Sequence, residues 1–290
     1  MRFAKFWAKA SAHGAAADGR ELDLVCWRSS DRSADDARAA ARTAVDEIAA
    51  RVQASGEPPD RYAYGERLLR EEVVRTLDGS ADAAAVVSRN SFGCLVLNTT
   101  RAMFVDVDLP EERPAARSGG SWLGRLFGRS APPPPPEHPA ARSLARLESW
   151  VKTKPGVGFR IYRTAAGLRY LATSGLYEPG SSESEGVLEV LGSDPLYVRL
   201  CRVQKSFRAR LTPKPWRCDM VPPPSRWPHE SAEHEAAFRD WLASYDAACA
   251  PYAACAYVST VGEERVHPEV EPILRVHDEA SRAASGLPLA

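Results

Sequence analysis

A stretch rich in proline and glycine divides this chain of 290 residues near its middle. It occupies residues 110–139 and contains Gly119-Gly120 and five consecutive prolines at 132–136. Proline fixes φ and lacks the backbone N–H donor, so neither a helix nor an interior strand continues through such a segment. We therefore expect a flexible, disordered insertion, partly polyproline, that links the halves 1–109 and 140–290 of one domain.

The composition is that of an ordinary globular protein, with 44% hydrophobic and 26% charged residues. Basic and acidic residues number 38 each, so the net charge indicates no class of partner. The six cysteines form no Cys-x-x-Cys pair, which favours buried thiols in a reducing compartment. No apolar run approaches the roughly 20 residues of a membrane helix, and the basic N-terminus lacks the apolar region of a signal peptide. We expect a protein of a bacterial-type cytoplasm or eukaryotic cytosol, without a membrane partner.

Hydrophobic periodicity predicts helices and strands on both sides of the linker. The predicted strands are 3–8, 21–27, 84–88, 93–98, 101–109, 159–164, 168–173 and 254–259. The predicted helices are 65–77, 141–152, 182–191, 233–245 and 269–284, with another that Ser33 caps and Gly56 ends, and a segment that Asp194 caps. Strands 93–98 and 101–109 are expected to form a hairpin and to lie centrally. The fold expected is α/β (α+β), with a mixed, largely antiparallel central sheet and flanking helices.

Two acids stand at the end of an apolar strand, in the sequence Met103-Phe-Val-Asp106-Val-Asp108-Leu-Pro110. Because strand side chains alternate between faces, Asp106 and Asp108 point the same way, about 7 Å apart. Two carboxylates on one face of a buried strand suit Mg²⁺ or Mn²⁺, with phosphates completing the coordination shell. The alternative is that the strand simply ends at Pro110, where the acids meet solvent or neighbouring arginines.

A predicted β-hairpin carries three arginines, Arg160, Arg163 and Arg169. On its first strand Arg160 shares a face with Tyr162, and Arg163 lies on the opposite face. Guanidinium groups on such a hairpin can neutralise a polyphosphate. The alternative is a solvated sheet face, on which the arginine side chains cover apolar surface.

The strongest local charge signal is a basic run without an acid between Asp194 and Asp219. Its members are Arg199, Arg202, Lys205, Arg208, Arg210, Lys214 and Arg217. On a helix the first three form one stripe, and the neighbouring Trp216 suits base stacking beside phosphate contacts. We interpret the run as a surface for nucleotide or nucleic-acid phosphates, the alternative being a basic face paired with acidic helices. His277 and Asp278 are expected to be surface or capping residues.

In order along the chain, these segments resemble the catalytic core of the archaeo-eukaryotic primase superfamily. Phe104-Val-Asp106-Val-Asp108 is similar to its hydrophobic-Asp-hydrophobic-Asp motif, helix 141–152 to the connecting helix, and Tyr162-Arg-Thr164-Ala-Ala-Gly167-Leu-Arg169 to its Ser/Thr-x-x-Gly-x-His hairpin. The resemblance covers about residues 93–173 and implies an RRM-like, primase-like core. It places Arg169 where the family has a nucleotide-binding histidine. Asp194 and Asp219 are the candidates for the third acid of the family.

The resemblance implies metal-dependent nucleotidyl transfer on a nucleoside triphosphate or single-stranded nucleic acid, or an inactivated relative of such an enzyme. Asp106 and Asp108 would bind Mg²⁺ or Mn²⁺, and Arg169 would act with them. The alternatives are a nucleic-acid-binding protein without catalysis, another Asp-x-Asp phosphotransfer enzyme, and a structural or interaction protein. The sequence leaves the substrate and the oligomeric state open.

Overall fold

The computed structural model describes residues 1, 3–15, 19–55, 68–77, 85–110 and 138–290. The strands are β1 (Phe6–Ala15), β2 (Glu21–Ser30), β3 (Glu72–Thr76), β4 (Ala85–Arg89), β5 (Leu95–Thr99), β6 (Phe104–Asp108), β7 (Gly158–Thr164), β8 (Gly167–Ala172), β9 (Phe207–Arg210) and β10 (Cys255–Gly262). The helices are α1 (Ala34–Ser55), α2 (Pro139–Lys152), α3 (Ser182–Val190), α4 (Pro195–Gln204), α5 (Ala232–Cys249) and α6 (Glu271–Ser281). A single turn of 3₁₀ helix spans Pro215–Arg217.

These strands form three sheets, all with antiparallel pairing. Strands β1 and β2 make a long hairpin on which α1 packs through Leu24, Val45 and Val52. Sheet I has the order β10-β7-β8-β6, and sheet II has the order β3-β4-β5-β9. Both four-stranded sheets combine strands from either side of residues 111–137. The expected α/β (α+β) fold with largely antiparallel strands is confirmed, with the strands divided among three sheets instead of one.

The inner strands of sheet I are covered on both faces, so every residue of β8 is buried. Phe159 and Tyr162 lie on opposite faces of β7 because they are an odd number of residues apart. Trp150 of α2 contacts the ring of Phe159, and His277 of α6 contacts the ring of Tyr162. Helices α2 and α6 therefore pack on opposite faces of the sheet, and the main hydrophobic core surrounds it.

Strand β6 is the last strand of sheet I, although the sequence predicted a central position for it. Its backbone is nevertheless buried, because the polypeptide around α4 covers its outer edge. The hydroxyl of Tyr197 donates to the carbonyl oxygen of Phe104 at 2.9 Å. The carbonyl oxygen of Asp106 accepts from Ser193 Oγ at 3.0 Å and from the backbone N–H of Asp194 at 3.1 Å. These bonds satisfy carbonyl groups that a neighbouring strand would otherwise satisfy.

The predicted hairpin about residues 98–100 is wrong. Strand β5 pairs with β4 and β9 in sheet II, whereas β6 pairs with β8 in sheet I. The short connection therefore carries the chain from one sheet to the other, and Thr99 Oγ1 donates to the carbonyl oxygen of Ala102 within it. Tight turn residues predict a change of direction, but they do not determine whether the flanking strands pair.

The predicted helix 65–77 is also wrong, in the part that the structure describes. Residues Glu72–Thr76 form strand β3, which pairs with β4. The segment contains Val73, Val74 and Thr76, whose branched side chains suit a strand. Pairing with β4 outweighs the helical spacing of its charged and apolar residues. The start of the predicted helix, at residues 65–67, lies outside the described residues.

The other predicted elements are found, with shifted ends. The hairpin of β7 and β8 is confirmed, and so is Ser33 as the cap of α1, since its Oγ accepts from the backbone N–H of Asp36 at 3.0 Å. Strand β1 begins at Phe6 and extends well beyond the predicted segment 3–8. The predicted insertion at 110–139 lies outside the described residues from 111 to 137. Within the described chain, each helix is too short or too polar to cross a lipid bilayer.

A buried polar network crosslinks sheet II. Arg208, opposite Asn98 in register, donates to Glu71 Oε1 at 2.7 Å and to Asn98 Oδ1 at 2.6 Å. Ser88 Oγ donates to Glu71 Oε2 at 2.6 Å, and Asn98 Nδ2 donates to Ser88 Oγ at 2.9 Å. All four side chains are buried. Arg208 is therefore part of the buried interior, where it binds a carboxylate that lies 137 residues away in the sequence.

Replacing Glu71 tests the energetic importance of this network. Glu71→Ala leaves the guanidinium of Arg208 buried without its counter-ion, so we expect a loss of about 3–5 kcal/mol in the free energy of unfolding. The control is Glu235→Ala, which removes an exposed ion pair with Arg239 and should cost at most about 1 kcal/mol. Urea denaturation measures both variants. A Glu71→Ala variant as stable as the control would contradict the assignment.

Candidate functional site

A row of polar side chains crosses sheet I at one level. Arg169 of β8 lies directly opposite Tyr162 of β7 on one side and opposite Asp106 of β6 on the other. Residues opposite each other in antiparallel strands project to the same face. Asp108 is opposite Gly167, where an added Cβ would lie 2.0 Å from the carbonyl oxygen of Val107. The backbone of the hairpin thus approaches β6 closely beside Asp108.

The end of this row opens into a cleft between sheets I and II, about 250 Å³ in volume. Its charged lining consists of Asp106, Asp194, Arg169, Arg208, Arg210 and Lys214. Tyr197 of α4 stands between the sheets, since its hydroxyl bonds to the carbonyl oxygen of Phe104 in β6 and to the backbone of Arg208 in β9. The cleft therefore lies where β6 and β9 are fixed to each other.

Arg169 is the most deeply buried charged group of the cleft, with 3% of its side chain exposed. Its Nη1 donates to the carbonyl oxygen of Arg210 at 2.8 Å. Its Nε lies 3.6 Å from Asp106 Oδ1, which is an ion pair but too long for a hydrogen bond. Within the described part of the chain, Nε has no hydrogen-bond partner. A buried charged donor without an acceptor is destabilising, and an anion in the cleft can relieve that cost.

Two further cations stand beside Arg169 without a carboxylate partner. Among the described residues, no acid forms an ion pair with Arg210 or Lys214. Burial lowers the pKa of Arg210, and the charge of Arg169 lowers it further. Burial likewise lowers the pKa of Lys214, and Arg210 and Arg217 add to the effect. Repulsion within this cation cluster, Arg169 with Arg210 and Lys214, favours the binding of an anion.

The acids at this end of β6 repel each other in the same way: Asp106 and Asp194 line the cleft, and Asp108 is exposed beside it. Burial raises the pKa of Asp108, and the charges of Asp106 and Asp194 raise it further. Asp194 is fixed by the bond of its backbone N–H to Asp106 and by its carboxylate, which caps α4 at the N–H of Leu196. Of the two candidates for a third acid, Asp194 is therefore the one that the fold brings to Asp106 and Asp108.

These acids offer part of a metal site. Within the described residues, no three His, Cys, Asp or Glu side chains converge at the spacing of metal ligands. Mg²⁺ commonly takes only one or two carboxylates and completes its octahedron with water and substrate phosphates. Asp106 and Asp108 fit that kind of site, beside cations that suit the phosphates.

The three hairpin arginines do not converge on one point. Arg160 is bound by Asp278 at 2.8 Å and by the hydroxyl of Tyr162, and it lies over the ring of Tyr257. Arg163 is exposed on the opposite face of the sheet from Arg169. There it borders a larger cavity of about 610 Å³, whose described lining contains no acid and which adjoins residues 110 and 138. Only Arg169 reaches the cleft.

The basic run is divided because α4 ends within it. Lys205 adopts a left-handed conformation with φ of 51° and ends the helix, so Arg208 and Arg210 belong to strand β9. On α4, Arg199 is exposed and Arg202 forms two hydrogen bonds of 2.5 Å with Glu185. The pairing of Arg202 agrees with the alternative that the run meets acidic helices.

Trp216 is half exposed and stands beside the cation cluster. Its ring contacts that of Phe92 edge-on, with centroids 5.2 Å apart, and Lys214 Nζ lies 5.3 Å from its ring centre. Lys214 also lines the cleft. Phe92 was not identified from the sequence, because its nearness to Trp216 arises only when β4, β5 and β9 assemble.

His277 is the largest departure from the expected site, since it was expected to be a surface or capping residue and is fully buried. Its Nε2 lies 3.4 Å from Arg169 Nη1, and its Nδ1 lies 3.0 Å from Asp278 Oδ1. A signal for its burial exists in the sequence. Ile273, His277 and Ser281 are spaced by four residues, and they form the buried face of α6.

Comparison of the chain with protein-family models, curated proteins and solved structures finds no match. The assignment of this site therefore depends on its geometry.

Protonation of His277 should destabilise the protein in mild acid. Burial lowers the pKa of His277 to about 4. In the unfolded chain the pKa is about 6.5, so the unfolded state binds the proton first as the pH falls. We therefore expect a contribution of up to about 3 kcal/mol to the free energy of unfolding. It is fully present above pH about 6.5 and is lost by pH about 4. The pKa of Asp278 is also lowered, and its contribution to the free energy of unfolding is lost at a more acidic pH than that of His277.

The measurement is the free energy of unfolding in urea across this pH range, for wild type and His277→Gln. The variant should be less stable at neutral pH, and the gap should narrow as the pH falls. A constant gap would contradict the neutral, buried state of His277.

Proposed function

We propose that the cleft binds the phosphates of a nucleotide together with Mg²⁺ or Mn²⁺, and that the protein catalyses nucleotidyl transfer of the primase-polymerase kind. One observation carries the proposal. Arg169 keeps in the interior an Nε that has no hydrogen-bond acceptor among the described residues, 3.6 Å from the carboxylate of Asp106, in a cleft that Arg210 and Lys214 also line. A triphosphate would supply negative charge to the three cations, and a divalent metal ion would supply positive charge to the acids.

The roles of the residues follow from their chemistry. Arg169, Arg210 and Lys214 would neutralise phosphate oxygens, and the guanidinium of Arg169 offers directed donors where Lys214 offers a point charge. Asp106 and Asp108 would hold the metal, which when bound stabilises negative charge on the phosphoryl oxygens. Catalysis of phosphoryl and nucleotidyl transfer consists mainly of such positioning and charge stabilisation.

The size of the cleft indicates which part of the nucleotide it holds. Its volume of about 250 Å³ is below the range of about 300–1,000 Å³ that is typical of pockets for whole small molecules. It suits phosphates and a metal ion, and the base would lie outside. Trp216 and Phe92 provide an exposed aromatic surface next to Lys214, on which a base can stack.

A single strand of nucleic acid is the second ligand of the proposal. Its path would run from Trp216 past Arg210 toward the exposed surface of α4, where Arg199 and Lys205 lie. Arg208 and Arg202 contribute less, because Glu71 and Glu185 bind their guanidinium groups. A cytoplasmic location is part of the proposal, and the six free cysteines accord with a reducing compartment.

Amide substitutions at the two acids test the metal site. Asp106→Asn with Asp108→Asn should abolish Mn²⁺-dependent binding of a nucleoside triphosphate in calorimetry. Stability should fall, because Asp106 is the carboxylate partner of the buried guanidinium of Arg169, so calorimetry is run at a temperature where the variant is folded. The control is Asp240→Asn with Asp246→Asn on the exposed side of α5, which should bind as wild type does. Absence of Mn²⁺ binding by wild type with nucleotide present would remove the metal site. Binding without nucleotidyl transfer would identify an inactivated relative.

Salt dependence separates phosphate contacts from stacking. Each neutralised phosphate of a single strand contributes about 0.7 to the slope of log affinity against log salt. Arg210→Gln should therefore make the slope shallower by about 0.7. Trp216→Ala should cost about 1–3 kcal/mol of binding with an unchanged slope, because stacking releases no counter-ions.

Fluorescence anisotropy with a short labelled strand measures both quantities, with Arg239→Gln as the charge-matched control on α5. If wild type binds no strand even at low salt, the function is confined to small nucleotides.

A further inference from the structure

A polar chain runs through the interior from the surface of α6 to the cleft. Asp278, at its outer end, accepts hydrogen bonds from the hydroxyl of Tyr162 at 2.7 Å and from Arg160 at 2.8 Å. His277 follows, with Nδ1 3.0 Å from Asp278 and Nε2 3.4 Å from Arg169 Nη1. Its ring is packed between those of Phe104 and Tyr162, with centroid distances of 5.1 and 4.7 Å. The chain ends at Arg169.

The hydrogen-bond capacities of the three groups determine the direction of each bond. Burial alone would raise the pKa of Asp278, but hydrogen bonds from His277 and Tyr162 outweigh it and leave the pKa below its ordinary value. The carboxylate is therefore ionised and only accepts. A guanidinium only donates. The imidazole is neutral near pH 7, so Nδ1 carries its proton toward Asp278, and Nε2 accepts from Arg169.

We propose that His277 and Asp278 are positioning residues for Arg169. Asp278 fixes the tautomer and ring orientation of His277. The imidazole Nε2 and the carbonyl oxygen of Arg210 then hold Nη1 of Arg169 from two sides, which keeps its Nε directed at Asp106 and the cleft. Arg160 contributes indirectly, by holding Asp278. This inference rests on the proposed function, because it assigns the held guanidinium to the phosphates that the cleft binds.

The bond to His277 explains how the guanidinium of Arg169 keeps one orientation among neighbouring cations. An arginine side chain has several rotatable bonds, and the charge of neighbouring Arg210 repels that of Arg169. The ion pair with Asp106 is long, so it cannot define the orientation of the guanidinium alone. A neutral acceptor orients the group without cancelling its charge, whereas a carboxylate in the same place would cancel the attraction for phosphate. Prior orientation of the donor reduces the entropy lost on binding.

Two substitutions at one position separate positioning from simple packing. Glutamine at position 277 can place its Oε1 near the position of Nε2 and so keep an acceptor for Arg169. Asparagine can place its amide nitrogen near Nδ1, which keeps the bond to Asp278 and loses the acceptor. Both remove the ring and should lower stability alike. Positioning predicts that His277→Asn weakens phosphate binding about tenfold, while His277→Gln stays within about twofold of wild type.

The probe is inorganic triphosphate, titrated into the full-length protein by calorimetry with a chelator present, so that the metal site has no influence. Ile273→Val, one turn earlier on the buried face of α6, is the packing control and should lower the melting temperature without changing affinity. Asp278→Asn is the second variant, at a partly exposed site, and should weaken binding as His277→Asn does.

Nitrogen-15 NMR of the arginine side chains supplies a readout that needs no ligand. The Nη groups of Arg169 should rotate slowly in wild type and in His277→Gln, and faster in His277→Asn. Equal affinity and equal rotation in the Asn and Gln variants would overturn the positioning role while leaving the phosphate site intact. If wild type shows slow rotation but binds no triphosphate, the proposed function fails, and with it the assignment of this positioning to phosphate binding.

Discussion

The burial of one positive charge, that of Arg169, is the constraint on which the rest of the site depends. A guanidinium with 3% exposure requires polar partners, because its transfer from water costs several kcal/mol. The chain supplies them from three separate elements: Asp106 on β6, the carbonyl oxygen of Arg210 on β9 and His277 on α6. These partners leave Nε without an acceptor. The protein thus holds a charged donor at the boundary between its two large sheets, and that is the state expected of a group that binds an anion.

The cleft exists because sheets I and II meet without merging. Strands β6 and β9 come together through Tyr197, which bonds to the backbone of both, and not through a β-ladder. Acids from β6 and cations from β9 and its continuation therefore face each other across a small polar space. The Arg208–Glu71 network stiffens the wall that sheet II contributes. Because the acids and the cations belong to different sheets, Asp106 and Asp108 form no ion pair with Arg210 or Lys214 among the described residues.

Local sequence patterns predicted the part of the site that depends on local geometry. Strand alternation predicted that Asp106 and Asp108 share one face, and the resemblance to the primase hairpin singled out Arg169. The pairing of β8 with β6 that sets Arg169 opposite Asp106 is itself nonlocal. The rest depends on distant contacts that no local pattern encodes. Glu71 meets Arg208 across 137 residues, and His277 meets Arg169 across 108. The basic run was interpreted as one surface, but the left-handed Lys205 divides it between a helix and a strand with different surroundings. Strand β3 was predicted as a helix from the spacing of its own residues, because its pairing with β4 is not visible within that segment.

A crystal structure of the protein with Mn²⁺ and a non-hydrolysable nucleoside triphosphate tests directly whether Arg169 binds phosphate. We predict a phosphate oxygen within hydrogen-bond distance of Arg169 Nε, and an anomalous peak for manganese beside Asp106 and Asp108. The base should lie outside the cleft, on the side of Trp216. A nucleotide bound elsewhere, with Arg169 Nε still unpaired and no manganese at the two acids, would contradict this prediction.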